Sequence, residues 1–257
     1  MDERLAAFGK LLDIMDKLRE ECPWDRKQTM ESLRNLTIEE TYELADAITK
    51  NDLNDIKKEL GDILLHIVFY ARIGSELKSF DIKDVIESIN EKLIYRHPHV
   101  FGDTLVADEN EVKENWEHLK IKESKKTVLS GVPAALPALV KANRIQDKVK
   151  GVGFDWEEKH QIWDKVMEEL QELRDEINLA DRKKIESEFG DLFFSLVNAA
   201  RLYGVDPETA LEKTNRKFTR RFNYLESKTM ALGISLKSMS LDEMNVIWEE
   251  AKDFDEK

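Results

Sequence analysis

Thr37-Ile38-Glu39-Glu40-Thr41-Tyr42-Glu43, followed by Glu59-Leu60-Gly61-Asp62, sets out a spacing that the chain repeats as Glu168-Glu169-Leu170-Gln171-Glu172 and Glu188-Phe189-Gly190-Asp191. Both copies read E-x-x-E, fifteen residues, then E-x-x-D. Residues three apart share one face of an α-helix, so each pair presents two carboxylates on one side. Fifteen residues suffice to end one helix, turn, and begin an antiparallel partner. Facing each other, the pairs would form four-carboxylate cages, Glu40, Glu43, Glu59 and Asp62 in one half and Glu169, Glu172, Glu188 and Asp191 in the other. Such cages suit hard divalent cations.

Competing local readings exist. Thr37 with Glu40 three residues on also spells a helix capping box. A single E-x-x-E in an acidic chain is ordinarily a solvated face. Repetition of the whole spacing beside apolar runs argues for a site instead. Asp62 leads into Ile63 to Ala71 and Asp191 into Leu192 to Ala200, runs that predict central, buried helices. A carboxylate at the edge of such a helix loses hydration unless a cation or hydrogen-bond donors compensate.

The repeat extends well beyond the acids. Glu40, Glu43, Glu59, Asp62 and Arg72 each shift by 129 onto Glu169, Glu172, Glu188, Asp191 and Arg201. A four-residue deletion then brings Asn90, Lys92 and Arg96 onto Asn215, Lys217 and Arg221, and Trp116 pairs with Trp248. A repeat of this length implies two copies of one helical domain. Helical periodicity covers Leu5–Glu20, Thr37–Lys50, Leu53–Leu77, Ile82–Tyr95, a segment around 111–122, Ala138–Lys150, Trp163–Leu179, Lys183–Tyr203, Thr209–Leu232 and Leu241–Phe254. Asn51-Asp52 and Ala180-Asp181 are turns, with Asp52 and Asp206 as helix caps. No alternating pattern places a sheet, so the expected fold is all-α: a first domain at 1–124, a Gly/Pro-containing linker at 125–137 and a second domain at 138–257.

The 257 residues carry 36% charged side chains and a net charge of −13, which argues against a nucleic-acid surface. The single cysteine, Cys22, excludes an internal disulfide and a Cys-rich zinc site and fits a reducing cytoplasm. The N-terminus lacks a signal-peptide pattern, and the apolar runs are too short to span a bilayer, so no membrane role is expected. There is no P-loop, the glycine pattern at Gly151-Val152-Gly153 is incomplete for dinucleotide binding, and no H-E-x-x-H is present. His66 follows Asp62 by four residues, but Ser195 replaces it in the second half, so a packed histidine is the simpler reading.

What remains is an all-oxygen site, which selects Mg²⁺ or Mn²⁺. Such metals commonly bridge phosphates to protein, and cationic side chains are then needed opposite. The second half supplies Lys217, Arg220 and Arg221 on one helix and Lys165 one turn before Glu169.

The stretches Cys22-Pro23-Trp24-Asp25, Glu39 to Glu43, Glu59 to Asp62, Arg96-His97-Pro98-His99-Val100-Phe101 and Val152-Gly153-Phe154-Asp155-Trp156 resemble the MazG family of nucleoside triphosphate pyrophosphohydrolases, in the all-α NTP pyrophosphatase superfamily. The resemblance covers both halves. It implies Mg²⁺-dependent hydrolysis of nucleoside triphosphates between the α- and β-phosphates, a homodimer, and a second domain carrying the main activity. It places Glu169, Glu172, Glu188 and Asp191 as metal ligands and Lys165, Glu168, Lys217, Arg220, Arg221 and Trp248 on the nucleotide. The first half becomes a secondary site with Glu39, Lys92 and Arg96, but Leu36 stands at the position of Lys165 and Tyr95 at that of Arg220. Three alternatives stay open: a dUTP- or dCTP-specific pyrophosphatase, a di-iron bundle (disfavoured because Glu or Asp replaces its Glu-x-x-His histidine), and a non-catalytic acidic scaffold.

Overall fold

The structure, a computed structural model, describes residues 2–106, 108, 111–112, 115–116, 119 and 127–254. The chain divides into two compact units, Met1–Trp116 and Glu117–Lys257. The described residues form helices and short 3₁₀ turns without a strand, and the fold is all-α. The helix expected around 111–122 lies largely outside the described residues.

In the first unit, α1 (Glu3–Glu21), α2 (Met30–Lys50), α3 (Leu53–Glu76), α4 (Ile82–Arg96) and the single turn α5 (Pro98–Phe101) follow in order. α2 and α3 form a helical hairpin, and α1 and α4 pack on α3. The hairpin turn is chemically specified. Asn51 adopts φ 56°, the left-handed conformation that asparagine tolerates, and Asp52 accepts hydrogen bonds from the N–H groups of Asn54 and Asp55 at 3.0 and 3.1 Å. Met15, Leu33, Val68, Phe69 and Ile73 make the core, with Leu36 and Tyr70 packed against it. Gly74 is required there, because a Cβ would lie 2.7 Å from the Phe80 ring and 2.8 Å from its carbonyl oxygen.

The second unit repeats the plan with α6 (Ala138–Lys150), α7 (Gln161–Leu179), α8 (Arg182–Leu202), α9 (Pro207–Ala231) and α10 (Leu241–Lys252). α7 and α8 form the hairpin, α6 packs on α8, and α9 packs on α10 and α6. Ala180 takes φ 57° at the turn and Asp181 caps α8 through the Lys183 N–H at 3.1 Å. Asp206 caps α9 through the Thr209 N–H at 2.8 Å. The 3₁₀ turn Val128–Gly131, in the expected linker, packs on α6, and Lys141 donates to the Ala134 carbonyl at 2.6 Å.

Two local expectations are corrected. α2 begins at Met30, seven residues before the expected start at Thr37, and is capped by Thr29, whose side chain forms a capping box with Ser32. Thr37 is inside the helix, donating to the Leu33 carbonyl at 2.9 Å and lying 2.8 Å from the Tyr70 hydroxyl, so capping does not explain Glu40. The second correction concerns burial. α3 and α8 are not enclosed on all sides: Leu60, Leu64 and Ile67 on one, and Phe189, Phe193 and Leu196 on the other, are exposed. These are the same positions, each shifted by 129. Asp191 is accordingly exposed and Asp62 half-buried, while the buried carboxylates are Glu59 and Glu169.

Candidate active site

In the second unit, α7 presents Glu169 and Glu172 and α8 presents Glu188, with one oxygen from each lying within 4.8 Å of the others. Glu169 is only 6% exposed, Glu188 half-buried and Glu172 exposed, so the triad opens to solvent on one side. Partial burial raises the Glu188 carboxyl above its ordinary range, reinforced by the charges of Glu172, Asp191, Glu169 and Glu176. Asp191 stands beside the triad rather than within its tightest grouping. Lys165, one turn before Glu169, places its Nζ 2.8 Å from Glu169 Oε1 and 2.8 Å from Glu168 Oε1. These two hydrogen bonds, to Glu168 first and Glu169 second, raise the affinity of the Lys165 amine for its proton.

The first unit repeats the triad with Glu40, Glu43 and Glu59, again within 4.8 Å. Burial, then the charges of Asp62, Glu43 and Glu59, raise the Glu40 carboxyl. Glu59 is 4% exposed; its Oε1 accepts from Lys58 at 2.8 Å, and its Oε2 is buried with no hydrogen-bond partner. An unpartnered buried carboxylate oxygen is costly. This orphaned atom, within a set made wholly of oxygen donors, fits a hard divalent cation such as Mg²⁺ or Mn²⁺.

The halves differ around their triads. Leu36, at the Lys165 position, packs into the first unit's core. His66 is 8% exposed, its Nδ1 buried without a hydrogen-bond partner, and burial lowers its proton affinity. It is a packed histidine.

The second unit contains a feature that spacing did not reveal. A cavity of about 610 Å³ adjoins the triad, with Lys165, Glu169 and Asp191 in its wall. Gln146, Phe154, Trp156, Ser195, Asn198 and Arg201 also line it. Arg201 is held by Asp155, with Nη1 3.2 Å from Oδ2 and a second, shorter contact from Nη2, and by Asn198 Oδ1 at 2.7 and 3.0 Å. Two signals were present: the Gly153-Phe154-Asp155-Trp156 loop and the repeated Arg72/Arg201. Only tertiary packing joins them.

The remaining predicted residues form a second cluster on α9 and α10. The Arg221 guanidinium lies 5.7 Å over the half-buried Trp248 ring, and the Phe218 ring is 5.0 Å from Trp248. Lys217 and Arg220 are exposed, and Arg220 lines a shallow groove along α9 with Arg216 and Asn223. None of these residues lines the cavity beside the triad. In the first unit, Glu39 and Lys92 are exposed and Arg96 closes α4, next to the His97 and His99 rings at 5.7 Å from each other.

The family described as "MazG nucleotide pyrophosphohydrolase domain" matches the chain twice, over residues 28–101 and 157–225. The chain is 44% identical over 261 residues to "Nucleoside triphosphate pyrophosphohydrolase/pyrophosphatase MazG" of Thermotoga maritima, covering the whole of both. It is 41% identical to "Nucleoside triphosphate pyrophosphohydrolase" of Escherichia coli K12, across 95% of this chain and 97% of that protein. It also matches "Uncharacterized protein YabN" of Bacillus subtilis at 46% identity, across 96% of this chain but 52% of that protein.

Proposed function

This chain belongs to the MazG family, and from that premise we propose that it hydrolyses nucleoside triphosphates to nucleoside monophosphate and pyrophosphate in a Mg²⁺-dependent reaction, chiefly in its second unit. The observation that carries this reading is the Glu169–Glu172–Glu188 triad with Lys165 beside it and a ligand-sized cavity adjoining. Water attacks the α-phosphorus, the bond from that phosphorus to the bridging oxygen breaks, and pyrophosphate leaves. Glu169, Glu172, Glu188 and Asp191 would hold the cation. Bound there, Mg²⁺ supplies neutralisation of polyphosphate charge and activation of water. Lys165 orients Glu169 through its 2.8 Å contact and offers a positive charge at the cavity wall. Lys217, Arg220, Arg221 and Trp248 are assigned to the nucleotide on the family resemblance, and Glu168 through its bond to Lys165.

A homodimer accompanies this reading. Leu60, Leu64, Ile67, Phe189, Phe193 and Leu196 form matched exposed apolar faces on the two hairpins, and a second copy of the chain is the proposed cover. No helix among the described residues is long and apolar enough to cross a membrane. The single unpaired Cys22 supports a reducing cytoplasmic setting.

The test is product analysis. Incubation with several triphosphates and Mg²⁺ is expected to release monophosphate and pyrophosphate, and EDTA to stop it. Diphosphate and orthophosphate as primary products, or activity that persists in EDTA, would overturn the reading.

A further inference from the structure

We propose that the first unit holds, one turn inward of its triad, a second cation position formed by Glu40, Asp62 and His66, and that this mixed oxygen and nitrogen set selects a d-block ion of the Co²⁺, Ni²⁺ and Zn²⁺ class. The inference goes beyond the hydrolase reading, which gives His66 no role and both units oxygen ligands alone.

Three observations carry it. The first is direction. Asp62, His66 and Tyr70 are spaced four apart on α3 and share one face. The charge of Asp62 acts on the Glu40 carboxyl across the hairpin, and the Tyr70 hydroxyl lies 2.8 Å from Thr37 Oγ1, so both ends of this row meet α2. His66, between them, turns the same way, into the layer just inside Glu40.

The second is an unused ring nitrogen. His66 is packed, at 8% exposure, yet its Nδ1 is buried with no hydrogen-bond partner. The nearby hydroxyls are committed elsewhere: Thr37 donates to the Leu33 carbonyl at 2.9 Å and pairs with Tyr70. A buried polar atom left unmade is costly, so native structures retain one where something completes it. Burial also favours the neutral ring, the form that binds a metal. Half-buried Glu40 and Asp62 supply the negative charge.

The third is distance along the helix. Glu59 Oε2 is orphaned too, but Glu59 is seven residues from His66, about 10 Å along the axis, too far for one ion to take both. Glu59 therefore serves the triad, where Lys58 also meets its Oε1, and His66 serves a position further in. Two carboxylates and one imidazole are three protein ligands, a number that leaves room for water.

The second unit supplies the internal control. At the same level Ser195 stands for His66 and donates to the Leu192 carbonyl at 2.9 Å, while Lys165 stands for Leu36 with its ammonium 2.8 Å from Glu169. A fixed positive charge lies where the first unit has a ring nitrogen without a donor. Magnesium takes oxygen ligands, whereas imidazole favours later first-row ions. The two units are thus built for different cations.

The experiment uses the full-length protein stripped with EDTA, as wild type, as His66→Ser, which imports the second unit's residue, and as His66→Gln. Each is titrated with Co²⁺ in excess Mg²⁺, which occupies the oxygen-only sites. Wild type is expected to retain Co²⁺ and to show paramagnetically shifted imidazole resonances in NMR. Both variants are expected to bind this Co²⁺ at least about tenfold more weakly, the lower end of what losing a group around a metal costs, and to lack those resonances. Their Mg²⁺ affinity by calorimetry and their helicity are expected to match wild type. Retention of Co²⁺ and of the shifted resonances in the variants would overturn the proposal, as would equal weakening of Mg²⁺ and Co²⁺, which would make His66 a packing residue only. A wild type without such resonances would overturn it whatever the variants do to folding. These readouts do not use turnover, so absence of hydrolysis would count against the hydrolase reading alone.

Discussion

Lys165 and Glu169 are joined at 2.8 Å across one helical turn, whereas at the equivalent positions of the first unit Leu36 is packed in the core and leaves Glu40 without that partner. Both triads bring three carboxylates together and each has a lysine 2.8 Å from its buried glutamate, Lys165 on Glu169 and Lys58 on Glu59, but Lys165 also lines the cavity beside its triad.

Lys165→Met is therefore expected to act in two opposite directions. Removing a cation beside the triad strengthens Mg²⁺ binding, so half-saturation falls to lower Mg²⁺. Removing a charge-assisted contact of about 1.5–3 kcal/mol lowers kcat/KM for triphosphates by roughly 10- to 150-fold. Steady-state kinetics across a Mg²⁺ series checks both. A parallel loss of metal affinity and turnover would show that Lys165 serves only to hold the triad together.

The Asp155–Arg201 pair predicts an acid limit for the second unit. Burial alone would raise the Asp155 carboxyl, but hydrogen bonds from Arg201 and the Trp156 N–H, with the charges of Arg201 and Lys150, outweigh it and bring it below the usual range. A carboxylate lowered in the folded state contributes stability that is present above its unfolded value of about 3.9 and is lost as pH falls through the lower folded value. Asp155→Asn leaves the Arg201 guanidinium, 8% exposed, without its charge partner. At pH 7 the expected cost is about 3–5 kcal/mol. Thermal melts from pH 3 to 7 check this: the wild-type Tm is expected to fall towards that of Asp155→Asn as pH drops. A constant difference across the range would show that the Asp155–Arg201 pair does not set the acid limit.

The exposed apolar face of α8 predicts association. The Phe189 and Phe193 rings lie 6.1 Å apart on that face, and both are exposed. Phe193→Asp is expected to shift the chain from dimer to monomer in light scattering, with helicity retained. A monomeric wild-type protein would contradict the proposed cover.

Much of this was legible from residues. Side-chain spacing placed the carboxylates, because E-x-x-E on a helix and the Asn51-Asp52 and Ala180-Asp181 turns are local chemistry. Helix ends governed by caps, such as Asp52 and Asp206, were also readable. The start of α2 was less legible: Thr29 and Thr37 both offer a capping hydroxyl, and it is Thr29 that forms the capping box with Ser32 and leaves Thr37 inside the helix. The burial of Glu59 and Glu169 rather than Asp62 and Asp191 was equally hidden. An apolar run states that a helix seeks cover, not whether its own chain supplies it. The cavity was illegible for a similar reason: Gln146, Trp156 and Asn198 come from α6, a loop and α8, and no sequence period relates them.

On the proposed function the second unit performs the chemistry, while the first keeps a triad with part of the cationic set, Lys92 and Arg96. Lys165 and Arg220 have no cationic counterparts at Leu36 and Tyr95. Two missing charge-assisted contacts correspond to about 3–6 kcal/mol, or roughly two to four orders of magnitude in rate. The most direct measurement compares kcat/KM for pyrophosphate release in Glu172→Gln and Glu43→Gln, each checked for helicity and dimerisation. Glu172→Gln is expected to lose most turnover, whereas Glu43→Gln is expected to keep most of it. Equal losses from the two substitutions would contradict it and make the first unit a full second active site.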